Sequence, residues 1–268
     1  MTAASLAPPV TRVGGVDVAV VGQGAPVTVF AHGLAGSSAE TRPLATRTPG
    51  TRLLLTFRGH GASDPLVDGW TYDDLADDLL AVADEFGATG AVGLSLGAGA
   101  ILRLLSRTPD RFARLAFVLP AALTEVRDDP ATDRLLRMGE AMIAGDEDAV
   151  VRQLLDEVPE AVRTRGGTRI LVGRRARMLV AGGRPPYPRG VETPLSSLDV
   201  LATVRAPALV ISQADDPLHP AAVAARLHAA LPSAELLTLE PGGVFWTATR
   251  QVQDALGHHL APDAPENT

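Results

Sequence analysis

Apolar segments of strand length alternate with amphipathic segments of helical length along most of the 268-residue chain. This alternation is typical of βαβ units and predicts a mostly parallel sheet flanked by helices. The predicted strands are Val16–Val21, Val27–Ala31, Arg52–Thr56, Ala91–Leu94, Leu115–Leu119, Ala208–Ser212 and Glu235–Leu239. The predicted covering helices are Tyr72–Phe86, Ala98–Arg107, Ala221–Leu231 and Thr247–Leu260. A turn-rich link, Gly22–Pro26, predicts that the first two strands form a hairpin.

The pattern changes from Thr124 to about Arg205, where helical periodicity continues without a convincing strand. The stretch then reaches a segment rich in glycine and proline, Gly182–Pro188. A helical insertion between two strands of a sheet is typical of a lid. The sequence therefore predicts a core made of residues 1–123 and 206–268, with a helical cap formed by residues 124–205.

Composition excludes several classes of function. The chain has 24 basic and 31 acidic residues and a net charge of −7, which argues against a nucleic-acid partner. It contains no cysteine, so disulfides, thiol catalysis and cysteine-ligated metals are excluded. We find no metal-ligand cluster and no dinucleotide-binding motif, and therefore expect neither a metal nor a cofactor. No signal peptide or membrane span is indicated, so we expect a cytoplasmic protein without membrane contact, monomeric or homodimeric.

The segment Gly93–Gly97 matches G-x-S-x-G and lies between a predicted strand and a predicted helix. In this context the pattern indicates a nucleophile elbow, because a turn this sharp projects the Ser95 hydroxyl above the sheet and tolerates only small flanking residues. The backbone N–H of Leu96 then points into the same space. The alternative is a glycine-rich turn without chemistry.

A second glycine-containing loop follows the strand Val27–Ala31. Gly33 lets the backbone approach a substrate, and the N–H of Leu34 could pair with that of Leu96 to form an oxyanion hole. His32 precedes this glycine. A structural turn containing a structural histidine is the alternative interpretation.

Four segments together resemble α/β-hydrolases of the small esterase, lactonase and haloperoxidase-like group. They are Ala31–Gly33, Arg58–Asp64, Val92–Gly97 and Asp215–Pro220. The resemblance covers nearly the whole chain and implies an α/β-hydrolase fold with a cap inserted before the acid-bearing strand. It implies a nucleophile, an acid and a final histidine in that order, acting on a small-molecule substrate. His60, within the second segment, is interpreted as structural.

The resemblance also implies the acid. In this group it lies in a pattern such as G-x-x-D-x-x-x-P, and Asp216 lies four residues before Pro220. Gln213 stands where the group usually has glycine. Asp216 is therefore the predicted acid, and the adjacent Asp215 is the alternative, more simply a solvated loop residue.

The histidine that the group places after the last strand is missing. The group has a stretch such as G-G-H-F, whereas this chain has Gly242-Gly243-Val244-Phe245. Valine can neither take a proton from Ser95 nor return one to a leaving group, and loss of a triad base costs several orders of magnitude in rate. The sequence therefore predicts an incomplete triad.

The other histidines are weak candidates to replace it. We expect His258 and His259 to face solvent near the end of the final helix, and His228 to lie in the middle of a helix. His219, three residues after Asp216, and His32 are the possible surrogate bases or substrate contacts. Neither spacing predicts an obvious Ser–His–Asp relay.

Three functions remain open. The first is atypical or weak hydrolysis of a small ester, lactone or thioester. The second is non-hydrolytic carbonyl chemistry in a biosynthetic pathway, by a lyase, cyclase, decarboxylase or isomerase. The third is ligand binding by a pseudoenzyme. Gly33 and Trp246 are predicted to line the pocket, while Arg174, Arg175 and Arg177 form either a solvated helix face or a contact for an anionic substrate.

Overall fold

The computed structural model describes residues 8–66, 70–126, 129–182 and 193–262. Eight strands form one sheet in the order β1-β2-β4-β3-β5-β6-β7-β8. The strands are β1 (Val10–Val13), β2 (Val16–Val21), β3 (Val27–Ala31), β4 (Thr51–Thr56), β5 (Gly90–Leu94), β6 (Arg114–Val118), β7 (Ala208–Gln213) and β8 (Ala234–Leu239). All pairings from β4 to β8 are parallel, and those of β2 are antiparallel. The predicted α/β class is thus confirmed.

The predicted hairpin between the first two predicted strands is wrong. β2 pairs with β1 on one side and with β4 on the other, so β4 separates it from β3. The hairpin turn lies instead at Gly14 and Gly15, whose φ angles of 55° and 88° suit glycine. β1 was not predicted, because this edge strand is mostly exposed and lacks an apolar face.

Helices connect the strands and continue into a segment between β6 and β7. They are α1 (Ser38–Thr41), α2 (Tyr72–Glu85), α3 (Leu96–Arg107), α4 (Pro130–Ala144), α5 (Glu147–Asp156), α6 (Glu160–Arg163), α7 (Gly166–Ala181), α8 (Ala221–Ala230) and α9 (Thr249–His259). The predicted covering helices correspond to α2, α3, α8 and α9, with boundaries shifted by no more than two residues.

The sheet separates two apolar layers. Alternate residues of one strand belong to different layers, because successive side chains point to opposite faces. In β4, Leu53 and Leu55 pack with α2 and α3, whereas Leu54 packs with α9. Burial on both faces holds the parallel strands in register and brings their carboxyl ends to one edge.

The helices α4 to α7 form the segment that we call the helical insertion. Its apolar residues make a third cluster of their own, which includes Met142, Val150, Val172 and Leu179. Most of the glycine- and proline-rich segment noted above, residues 183–188, lies outside the described residues. Within the described ranges, no helix has the length and apolarity that crossing a membrane requires.

Candidate active site

Ser95 lies between the end of β5 and the start of α3, at the carboxyl edge of the sheet. Its φ of 50° and ψ of −106° place a non-glycine residue in a sparsely populated region, as expected for a sharp strand-to-helix turn. The turn fits because the residues two positions before and two positions after Ser95, Gly93 and Gly97, lack side chains. A Cβ on Gly93 would lie 2.5 Å from the Ala98 nitrogen, and one on Gly97 would lie 2.4 Å from the Ala31 carbonyl oxygen.

His219 stands between Ser95 and Asp216. Its Nε2 is 3.1 Å from the Ser95 Oγ, and its Nδ1 is 2.9 Å from the Asp216 Oδ2. Because a carboxylate can only accept, Nδ1 carries the proton and Nε2 is left to accept from the Ser95 hydroxyl. The expectation that the spacing of His219 would produce no Ser–His–Asp relay is therefore wrong.

Asp216 orients this histidine through its own loop. Its Oδ1 accepts the backbone N–H groups of Leu218, at 2.9 Å, and His219, at 3.1 Å. Burial acts to raise the pKa of Asp216, but hydrogen bonds from the His219 ring and from these two amides outweigh it and hold the pKa below its usual value. Asp216 is therefore a carboxylate at neutral pH. Asp215, by contrast, is exposed and has a φ of 56°, as in a solvated turn.

His32 binds backbone groups outside this relay, and both of its ring nitrogens are occupied. The Phe57 N–H donates to its Nε2 at 3.0 Å, so Nδ1 carries the proton and donates to the Gly33 carbonyl at 2.7 Å. The ring is fully buried, and burial lowers its pKa to about 4. His32 is thus a neutral structural group.

The same hydrogen bond orients the loop that contains Leu34. The Gly33 carbonyl also accepts the Gly36 N–H at 3.0 Å, so the peptide unit joining Gly33 and Leu34 is fixed on its oxygen side. In a trans peptide the N–H points opposite to the carbonyl, so the Leu34 N–H is directed away from His32. The Leu96 N–H lies in the first turn of α3, where no intrahelical acceptor exists.

Val244 lies within a single π-helical turn, Gly243–Thr247, between β8 and α9. Its side chain is only 2% exposed and belongs to the apolar layer under α9 that includes Leu239 and Val252. Trp246, two residues later, packs against the apolar cluster of the helical insertion. The position at which the resemblance implies a histidine is therefore part of the core.

Three further outcomes concern His259, His258 and His60. His259 does not simply face solvent, because its Nε2 donates to the Leu115 carbonyl at 2.8 Å and ties α9 to β6. His258 is exposed, as expected. His60 is 6% exposed, and its ring packs edge-on against His32 with 4.9 Å between centroids.

A cavity of about 260 Å³ lies beside the glycine loop, between α1, the loop after β4 and the helical insertion. Among the described residues, its lining includes Glu40, His60, Met142, Arg174 and Arg175, but neither Gly33 nor Trp246. Searching the same described ranges finds no group of three or more histidine and carboxylate side chains arranged to hold a metal ion.

Sequence reasoning missed Glu40. Its Oε2 accepts the Gly33 N–H at 3.0 Å, and its Oε1 accepts from Arg175 of α7 at 2.8 Å. The spacing Ser37-x-x-Glu40 matches a capping box, which normally returns the glutamate to the N-cap amide. Here Ser37 caps α1 through the Ala39 N–H, while Glu40 reaches the glycine loop instead.

Burial of His32 and His60 predicts a loss of stability in mild acid. Burial lowers the pKa of His60 to about 3, with His32 contributing, so both rings are neutral in the folded protein while unfolded histidines titrate near ~6.5. The unfolded state therefore binds protons first, and stability falls as the pH drops from ~6.5 towards these values. Between pH 7 and pH 5, we expect each histidine to reduce the free energy of unfolding by about 2 kcal/mol.

Urea denaturation at the two pH values measures this loss. His60→Gln should remove about half of the pH dependence, whereas His258→Gln, a change at an exposed position, should leave it intact. An unchanged dependence in His60→Gln would show that other groups carry the effect.

A mostly parallel sheet has a strained serine at its carboxyl edge, and this serine is hydrogen-bonded to a histidine that is bound in turn by an aspartate of the same loop after β7. This arrangement defines a protein of the α/β-hydrolase class. The chain belongs to the alpha/beta hydrolase fold family, whose profile matches residues 26–245.

Relatives within this family differ in their stated activities. The chain is 29% identical over 177 residues to a dihydrolipoyllysine-residue acetyltransferase component of an acetoin cleaving system from Cupriavidus necator, covering 61% of this chain and 46% of that protein. It is 33% identical over 132 residues to a bifunctional esterase/perhydrolase from Acinetobacter calcoaceticus, covering 45% and 48%. The chain thus spans about half the length of these curated relatives. The naproxen esterase from Bacillus subtilis has a similar fold, with a TM-score of 0.73, 21% identity and coverage of 92% and 87%.

Proposed function

We propose that this protein is a serine hydrolase that cleaves a small ester, lactone or thioester with Ser95 as nucleophile, His219 as base and Asp216 as the group that orients the base. The hydrogen-bonded chain from Ser95 Oγ through the His219 ring to Asp216 carries this proposal. The proposed triad is complete, although two of its members lie within four residues of each other.

The chemistry follows from the protonation states. The Ser95 oxygen attacks the substrate carbonyl and gives its proton to His219 Nε2, and the N–H groups of Leu34 and Leu96 stabilise the negative oxygen. His219 then gives that proton to the leaving oxygen or sulfur, which leaves an acyl group on Ser95. Water attacks this acyl group, with His219 as base again, and releases the carboxylic acid and free Ser95.

The helical insertion has a proposed role as a cap over this site. It lies between β6 and β7, and its apolar cluster contacts Trp246 next to the β8–α9 connection. Glu157, at the end of α5, interacts electrostatically with His219 and Asp216, and this interaction supports the proposed role.

Non-hydrolytic carbonyl chemistry and simple ligand binding are the alternatives. Neither needs a histidine that accepts a proton from Ser95, so the bonded pair favours covalent hydrolysis. Product analysis separates the three, because hydrolysis consumes one water and releases an acid together with an alcohol or thiol, whereas ligand binding raises the melting temperature without turnover.

Covalent labelling tests whether Ser95 is activated. We expect a fluorophosphonate to label the protein in a 1:1 ratio and a p-nitrophenyl ester to give a burst of nitrophenol, and we expect Ser95→Ala to lose both. Ser106→Ala is the matched control, because its hydroxyl donates to the Arg103 carbonyl within α3 and has no contact with His219. Absence of labelling and of a burst in the parent protein would contradict the proposal.

A further inference from the structure

One ion pair joins the helical insertion to the loop that carries the proposed oxyanion donor. Arg175 of α7 donates to Glu40 Oε1 at 2.8 Å, and the other oxygen of the same carboxylate accepts the Gly33 N–H at 3.0 Å. The Glu40 side chain is only 11% exposed, whereas that of Arg175 is 47% exposed. The Glu40 carboxylate therefore connects the long cationic side chain of Arg175 to the backbone of the glycine loop.

The glycine loop is built to receive this carboxylate. A Cβ on Gly36 would lie 2.2 Å from Glu40 Oε2, and one on Gly33 would lie 3.3 Å from the same oxygen. Ala35, between them, has a φ of 56°, which is unusual for a residue with a side chain. Glycine at position 36 leaves room for the carboxylate, and a side chain at position 33 would be in tight contact with the same oxygen.

Gly33 then has both backbone groups fixed. Its N–H is bound by Glu40, and its carbonyl is bound by the His32 ring and by the Gly36 N–H. The next amide along the chain is that of Leu34. Preorganised donors are the main source of oxyanion stabilisation. A small rotation of the peptide unit that joins Gly33 and Leu34 therefore reduces transition-state binding while leaving ground-state binding nearly unchanged.

We propose that Arg175 is a positioning residue that, through Glu40, aligns the Leu34 amide when the helical insertion lies over the site. This inference rests on the proposed hydrolytic function. It makes catalytic competence depend on the position of α7, since the carboxylate is held on Gly33 by a cation that belongs to the insertion.

The test compares Arg175→Gln with Arg177→Gln. Arg177 lies on the same helix, and its side chain is 63% exposed. Its ion-pair partner, at 3.7 Å, is Glu147 of α5 and not a residue of the glycine loop. We expect Arg175→Gln to lower kcat roughly tenfold at nearly constant KM, which is less than the roughly 10²- to 10³-fold cost of removing an oxyanion donor. It should weaken a boronic acid inhibitor by the same factor, and Arg175→Lys should recover part of the loss. Arg177→Gln should match the parent.

A double-mutant cycle identifies the route. Arg175→Gln combined with Glu40→Ala should be no slower than Glu40→Ala alone, because the arginine acts on the glycine loop only through the carboxylate that Glu40→Ala has already removed. Glu157 also interacts electrostatically with Arg175, so Glu157→Gln serves as the second cycle, and its coupling energy with Arg175→Gln should be smaller than the coupling energy between Arg175 and Glu40. Equal kcat values for Arg175→Gln and Arg177→Gln, or a change in KM alone, would overturn the proposal.

Amide hydrogen exchange separates failure of this inference from failure of the proposed function. Exchange at Gly33 and Leu34 should be faster in Arg175→Gln than in Arg177→Gln, whether or not the protein cleaves esters. Lack of Ser95-dependent turnover in the parent would overturn the hydrolase proposal, while unchanged exchange in Arg175→Gln would overturn the positioning role.

Discussion

His219→Ala is expected to lower kcat/KM for an activated ester by roughly 10⁴-fold or more, to a level that Ser95→Ala shares. Without the ring, no base among the described residues is hydrogen-bonded to the Ser95 hydroxyl, because His219 Nε2 is the acceptor at 3.1 Å. Loss of a triad base typically removes most of the catalytic advantage, and the residues of a triad act as a unit. Steady-state kinetics on a p-nitrophenyl ester measures the effect.

Two comparisons make this result specific. The double variant Ser95→Ala/His219→Ala should be no slower than either single variant, because the second change removes a group that has already lost its function. His228→Ala is the matched control, since His228 lies in α8, on the element that follows the acid loop. Retention of activity within tenfold of the parent in His219→Ala would show that another group acts as the base.

Steric rules made part of the site predictable. The spacing G-x-S-x-G has few structural solutions between a strand and a helix, so Ser95 and the first-turn amide of Leu96 could be placed from the sequence. Parallel strands also bring their carboxyl ends to one edge, so the loops after β3, β5 and β7 had to converge. These inferences depend on backbone geometry, which composition and periodicity encode well.

The partner of Ser95 could not be placed in this way, because it depends on a side-chain direction inside a turn. The Asp216 carboxylate accepts the N–H groups of Leu218 and His219, and these bonds form a turn. The turn brings the His219 ring within hydrogen-bond distance of the same carboxylate. Residue spacing alone does not distinguish that arrangement from one in which the ring points to solvent. The link from Glu40 to Gly33 was missed for a similar reason, since its pattern also fits a capping box.

The π-helical turn after Gly242 contains Val244, whose side chain is buried in an apolar layer. In such a turn the Thr247 and Ala248 N–H groups bond to the carbonyls five residues earlier, at 3.3 Å in both cases. The wider turn rotates the side chains relative to an α-helical start. Val244 consequently joins Leu239 in the apolar layer, while His219 approaches Ser95 from the acid loop.

Val244→His is therefore expected to destabilise the protein without creating a base. The imidazole would replace a side chain that is 2% exposed within an apolar layer, so it would lose apolar contacts and leave a polar group without a partner. An unsatisfied buried polar group costs about 1–3 kcal/mol, and overpacking adds a similar amount. We expect the free energy of unfolding to fall by about 3 kcal/mol, as measured by urea denaturation, with esterase activity of the folded fraction close to that of the parent.

The decisive measurement places this change in the His219→Ala background. If the base is His219 and Val244 belongs to the core, the double variant Val244→His/His219→Ala stays as inactive as His219→Ala. Val244→Ala is the stability control, because it shows the cost of the cavity alone. Recovery of esterase activity by more than about a hundredfold in the double variant, against the several orders of magnitude that a base supplies, would mean that residue 244 reaches Ser95. The loop after β8 would then retain the geometry that the resemblance implies, with residue 244 beside Ser95. In that case His219 would substitute for a base at residue 244, and the π-helical turn would not be the reason for its position.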